Sequence, residues 1–140
     1  SSGGTHAGLI AGNIISGDQT RVIGMRVDFD GDLPDHTLKV VRELLEDQNA
    51  VASVAANDVI LQTGYEGNGY GIMSDAGKDA ICLTWQNEGI LLDPVYSGKA
   101  MAGLLGRIRD RSNVDGAIVF IHTGGAPSVY AYPDRSQLNA

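Results

Sequence analysis

Short apolar, β-branched runs alternate along this chain with longer segments of helical period, and glycine turns separate them. Residues 21–27 (R-V-I-G-M-R-V), 58–63 (D-V-I-L-Q-T), 90–92 (I-L-L) and 116–122 (G-A-I-V-F-I-H) read as strands, the last most clearly. Residues 7–15 are small and apolar, and Gly17-Asp18 ends them. Leu38, Val41, Leu44 and Leu45 recur at helical spacing, with Glu43, Glu46 and Asp47 on the other face. Asp35, just after Pro34, is placed to cap that helix. Ser74-Asp75 caps another helix running to about Asn87, and Gly89 stops it. Asp93-Pro94 breaks the third strand, and 97–109 is again helical. This alternation, with short connections, predicts an α/β fold: a partial parallel sheet flanked by helices. Such sheets bind ligands at the C-terminal ends of their strands. The glycine-rich turns fall at those ends: before residue 5, at 64–71, at 93–98 and at 123–127.

The 140 residues suffice for one domain, and 43% hydrophobic content can build its core. Nineteen glycines exceed the roughly ten that ordinary usage would supply, which points to tight turns and close backbone approaches. A net charge of −7 argues against a nucleic-acid surface, which needs clustered Lys and Arg. Arg107, Arg109 and Arg111 sit together near a helix end, where cations are favoured by the dipole. The single Cys82 excludes an internal disulfide framework and fits a reducing compartment, so a cytoplasmic protein is expected. No apolar run approaches the roughly 20 residues that span a bilayer, and nothing resembles a targeting peptide.

The opening residues Ser1-Ser2-Gly3-Gly4-Thr5-His6-Ala7-Gly8 carry the first chemical signal. Glycines let backbone approach a ligand, and a helix start offers free N–H groups and a positive dipole end. That combination suits a phosphate. The Gly-Lys-Ser/Thr ending of a Walker loop is missing, and Gly3, Gly4 and Gly8 do not have dinucleotide-fingerprint spacing. A phosphate monoester held by N–H groups and the Ser2 and Thr5 hydroxyls, or a tight turn without a ligand, fits the residues equally. The chain opens inside this element without an initiator Met, and reads as the latter part of a longer protein. Residues 64–71 (G-Y-E-G-N-G-Y-G) combine four glycines with two tyrosines, the composition of a loop beside a site. His6 is as consistent with packing as with ligand contact, and His122 reads as a structural histidine at a strand end. Cys82 and the methionines read as packing, and three scattered histidines with one cysteine make no metal site.

Residues 2–9 (S-G-G-T-H-A-G-L) resemble the cofactor-phosphate loop of the D-cysteine desulfhydrase and 1-aminocyclopropane-1-carboxylate deaminase family. These are pyridoxal-phosphate enzymes of the tryptophan-synthase-β fold type. Gly69-Tyr70-Gly71, residues 92–104 (L-D-P-V-Y-S-G-K-A-M-A-G-L) and residues 120–127 (F-I-H-T-G-G-A-P) resemble the same family in the same order, so the likeness covers nearly the whole chain. It implies that residues 1–140 are the second, C-terminal part of the large cofactor-binding domain of a fold-type-II enzyme.

The resemblance also implies roles. Ser2, Gly3, Gly4 and Thr5 would hold the phosphate of pyridoxal 5′-phosphate. Ser97 stands where the family places the partner of the pyridine nitrogen; the deaminases resembled carry a carboxylate there and the desulfhydrases a hydroxyl. A hydroxyl cannot hold a pyridinium as a carboxylate does, which leaves the ring a weaker electron sink suited to β-elimination. Thr123 matches the threonine of desulfhydrases, where deaminases tend to be apolar. Tyr70 and Tyr96 match tyrosines near the substrate, where a phenol can bond a carboxylate or move a proton; without the resemblance each would read as a half-buried tyrosine. Such an enzyme needs a Schiff-base lysine. Lys39 and Lys78 lie on expected solvent faces, Lys99 lies beside the ring in the family motif, and the reactive lysine and small domain come earlier in the family. The expected activity is elimination from a small cysteine-like amino acid, D-cysteine first, with cysteate or the cyclopropane amino acid as alternatives, in a homodimer. The rival expectation is a truncated, non-catalytic module.

Overall fold

A computed structural model describes residues 2–28, 31–110 and 116–131. The elements in chain order are α1 (Gly4–Ser16), β1 (Ile23–Met25), α2 (Leu33–Asp47), β2 (Ile60–Gln62), α3 (Asp75–Glu88), α4 (Ser97–Arg109) and α5 (Ala126–Ala131), with a 3-10 turn at Ala56–Asp58. The α/β expectation holds: β1 and β2 form a two-stranded parallel sheet with helices beside it. The chain divides into two compact units, Ser1–Gly24 with Asp30–Gln62, and Met25–Phe29 with Thr63–Ala140.

In the first unit α1 packs on α2. The left-handed Gly17 (φ 70) ends α1, with its N–H on Asn13 and Ile14 carbonyls, as the sequence predicted. On α2, Leu33, Thr37, Leu38, Val41 and Leu45 are buried, while Lys39 and Glu43 pair at 3.7 Å on the exposed face. Ala7, Ile10 and Ala11 of α1 join Leu38, Val41, Leu45, Val54 and Val59 in one cluster, each large aliphatic contributing roughly 1.5–3 kcal/mol by leaving water. The N-cap of α2 is Asp32, not Asp35; Pro34 lies within the first turn and Asp35 adds a first-turn negative charge. Proline's fixed φ suits an opening helical turn, so α2 starts before it.

In the second unit α3 packs on α4. Ser74 caps α3 by accepting from Gly77 N at 3.1 Å, and Gly89 (φ 66) ends it, as predicted. Helix α4 has the predicted bounds, with Arg107 and Arg109 in its last turn; Arg111 lies outside the described residues. Gly98 lets α4 approach: a Cβ there would lie 2.7 Å from the Asp93 carbonyl and 2.9 Å from Ile81 Cδ1. Two strand expectations fail. Residues 90–92 and 116–122 are not strands, and Ile90, Leu91, Ile118, Val119 and Ile121 are exposed. Apolar alternation makes a strand only where another strand supplies its ladder, and no described segment pairs with either run. Among the described residues, no helix is long and apolar enough to cross a membrane.

Candidate active site

The N-terminus of α1, in the first unit, differs from those of α3 and α4. Its N-cap is Gly3, left-handed at φ 66, with no side-chain cap and no acidic residue in the first turn. Ser2 Oγ reaches Gly4 N only at 3.5 Å, and Ser2, Gly4 and Thr5 are exposed. A Cβ on Gly3 would lie 2.7 Å from Thr37 Oγ1, a buried hydroxyl without a hydrogen-bond partner. The turn thus requires glycine both for its φ and for its contact with α2. It leaves the first N–H groups of α1, the dipole and two hydroxyls turned to solvent, a donor set that fits a phosphate. His6 adds no positive charge. Burial pushes its pKa below the ordinary value, partly offset by a hydrogen bond to the Val22 backbone. Its ring packs where a Cβ on Gly24 would be, 2.6 Å from Nδ1.

In the second unit the N-terminus of α4 is already served. Asp93, fully buried, takes Val95 N at 2.8 Å and Tyr96 N at 2.9 Å on Oδ2, and Ser97 N at 2.7 Å on Oδ1. Ser97 Oγ donates to the same Oδ1 at 2.6 Å and accepts from Asp93 N at 2.7 Å. Ser128 Oγ, on α5, shares its proton between Oδ2 at 3.0 Å and the Gly125 carbonyl at 2.8 Å. Burial pushes the Asp93 carboxyl up, but the bonds from the Ser97 hydroxyl and the three amides outweigh it and carry its pKa below the ordinary value. The carboxylate therefore stays charged, and the Ser97 proton is committed to it. Thr123 is exposed on the turn whose Gly125 lies directly against Asp93 Oδ1. The sequence signalled Asp93 only as a strand breaker; a carboxylate four residues before a helical serine is the local pattern that betrays the anchor.

Tyr70 and Tyr96 meet. Their hydroxyls form a short hydrogen bond, and their rings sit edge to face with centroids 5.9 Å apart. The bond with Tyr70, then burial, pushes the Tyr96 pKa up to about 12. That bond uses one phenol proton of the pair and leaves the other free to point elsewhere. Both rings reach solvent, 56% exposed at Tyr70 and 37% at Tyr96. Lys99 is fully buried, its Nζ donating to the carbonyls of Val27 at 3.2 Å, Glu66 at 2.7 Å and Gly69 at 2.7 Å. His122 is hydrogen-bonded to backbone, as expected, but it is exposed and ends no strand. Gly124 N donates to its Nδ1 at 3.1 Å, so Nε2 carries the proton and gives it to the Leu91 carbonyl at 3.0 Å. Of the sequence-predicted residues, Ser2, Gly3, Gly4 and Thr5 lie in the first unit, and Tyr70, Tyr96, Ser97 and Thr123 in the second.

The chain is 43% identical over 132 residues to D-cysteine desulfhydrases of Salmonella newport and Salmonella typhi, which covers 94% of this chain and 40% of each relative. It therefore spans about two fifths of the length of these curated relatives. A crystal structure of an ACC deaminase homologue matches with a TM-score of 0.86 and 32% identity, over 99% of this chain and 41% of that one. The family model described as pyridoxal-phosphate dependent enzyme matches residues 1–124. That match takes in the open helix start, the tyrosine pair and the Asp93-anchored serine, and the chain belongs to the family of pyridoxal-phosphate dependent enzymes.

Proposed function

We propose that the intact protein is a pyridoxal-phosphate-dependent lyase that eliminates sulfide from D-cysteine, with water, to give pyruvate and ammonia. The observation that carries this is the 43% identity to D-cysteine desulfhydrases over nearly the whole chain, together with hydroxyl residues at positions 97 and 123. The amides at the start of α1 and the Ser2 and Thr5 hydroxyls bind the cofactor phosphate through the donor set described above. When bound, the cofactor delocalises the electron pair left on the substrate α-carbon as its proton departs. Ser97 would be the partner of the pyridine nitrogen. With its own proton committed to Asp93, its oxygen could only accept from that nitrogen, and the Asp93 charge stands behind it. An isolated hydroxyl would hold a pyridinium weakly; this serine is a better partner than its side chain alone implies. Tyr96 and Tyr70 hold each other through their shared hydrogen bond, and the remaining phenol proton of the pair bonds the substrate carboxylate or the departing sulfur. Thr123, the hydroxyl residue that matches the desulfhydrases, is assigned to cofactor binding as well.

None of the three lysines is placed as the Schiff-base amine. Lys39 is exposed beside Glu43, Lys78 sits half-buried on α3, and Lys99 spends its protons on backbone carbonyls. The reactive lysine is assigned to the part of the relatives that this chain does not span. Homodimerisation and a cytoplasmic location belong to the same proposal. A second reading, deamination of 1-aminocyclopropane-1-carboxylate, is favoured by the solved ACC deaminase homologue. Purified intact protein loaded with cofactor is assayed on D-cysteine, cysteate and the cyclopropane amino acid. Sulfide and pyruvate in equal amounts from D-cysteine are expected. Sulfite from cysteate, or a keto acid only from the cyclopropane substrate, would replace D-cysteine as substrate, and no turnover of any would refute the lyase.

A further inference from the structure

We infer that Lys99 is a positioning residue: its buried ammonium pins the glycine-rich 64–71 loop to the first turn of α4 and thereby holds Tyr70 against Tyr96. The inference rests on the reading that this tyrosine pair faces the substrate.

An ammonium has three protons, and Lys99 places them on three carbonyls, Val27, Glu66 and Gly69. Two of the three are in the loop, and Gly69 is the residue bonded to Tyr70. The loop turns at its glycines and is tied inside by Gly64 N on Glu66 Oε2 at 2.7 Å. Gly64, Gly67, Gly69 and Gly71 all have positive φ, and its internal Ile72 N to Gly69 O bond is long at 3.4 Å. Glu66 is buried, as is Asp28 beside Val27, and both carboxylates favour the charged amine against the burial that pushes its pKa down. The register follows from helix geometry. Tyr96 and Lys99 stand three residues apart at the start of α4, so one helical turn supplies both the partner of Tyr70 and the clamp on its loop. A methionine of similar length would fill the space and leave three buried carbonyls without donors.

The test is a double-mutant cycle on the intact holoenzyme with Lys99→Met, Tyr70→Phe and the pair. Cofactor absorbance is retained in all three. Lys99→Met lowers kcat/KM on the order of 10²-fold, the scale of a misplaced catalytic group, whereas in the Tyr70→Phe background the same change costs less than about threefold. Equal factors in the two backgrounds would overturn the proposal, because a merely structural lysine acts regardless of Tyr70. A second readout needs no turnover. Amide hydrogen exchange at neutral pH shows the 64–71 loop exchanging on the order of tenfold faster in Lys99→Met, with the amides of α1 and α2 unchanged. Unmoved exchange in the loop likewise overturns the clamp. If Tyr70→Phe alone leaves the rate unchanged, the substrate-facing role of the pair fails, and the exchange of the loop still decides whether Lys99 holds it. Should Lys99→Met not fold, Lys99→Gln, with two donors, carries the same cycle.

Discussion

Replacing Asp93 with asparagine changes one charge and almost no volume at the point where α4, α5 and the 123–125 turn converge. The carboxylate accepts from Ser97 N and Ser97 Oγ on one oxygen, and from Val95 N, Tyr96 N and Ser128 Oγ on the other. The best orientation of the amide turns its nitrogen toward Ser97. The serine hydroxyl can rotate to accept, but the Ser97 N–H is left buried without an acceptor, at about 1–3 kcal/mol. The three bonds on the other oxygen fall from charge-assisted to neutral, roughly 1 kcal/mol each. Relief of the carboxylate's burial offsets part of this, and a net loss of about 3 kcal/mol is expected. Urea unfolding followed by far-UV circular dichroism at neutral pH reads it as a lower midpoint at unchanged m-value. The pH dependence gives a second check. The folded pKa of Asp93 lies below the ordinary 3.8, so its contribution is complete above that value and is lost as pH falls through it. Asparagine removes that part of the acid loss. The effect of His6, whose folded pKa is lowered from 6.5, is lost as pH falls through that range in both proteins and cancels. A loss under about 1 kcal/mol with the acid slope of the parent would refute the account of Asp93 as a charged anchor.

Other outcomes follow from single contacts. Gly3→Ala puts a Cβ 2.7 Å from Thr37 Oγ1 at φ 66; it should destabilise by about 1–2 kcal/mol and weaken cofactor binding, and an unaltered fluorescence titration with pyridoxal 5′-phosphate would exclude the turn from the phosphate site. Tyr96→Phe removes the hydroxyl bonded to Tyr70; kcat/KM should fall on the order of 10²-fold with cofactor absorbance intact, and an unchanged steady-state rate would dismiss the pair from catalysis.

Local physics made much of this chain legible in its residues. Gly17 and Gly89 end helices because their left-handed conformation is open to glycine, and Ser74 starts one because its oxygen reaches an amide three residues on. The bounds of α4 followed likewise, as did the meeting of open amides and hydroxyls at the start of α1. The sequence put Tyr70 and Tyr96 in glycine-containing turns, but did not give their contact across 26 residues of chain. Residues 116–122 have every local mark of a strand and form none, because a ladder needs a partner strand and propensity does not supply it. Lys99 has the composition of an ordinary helix lysine, yet its acceptors come from residues 27, 66 and 69. Asp93 reads in the sequence as a strand breaker; its bond with Ser97 is local, four residues on, whereas Ser128 reaches it only through the fold. What depends on a residue and its next four neighbours was written in the sequence. Strand pairing, the buried charge of Lys99 and the meeting of Tyr70 with Tyr96 were decided by tertiary structure, since each is set by groups that folding alone brings within hydrogen-bond reach.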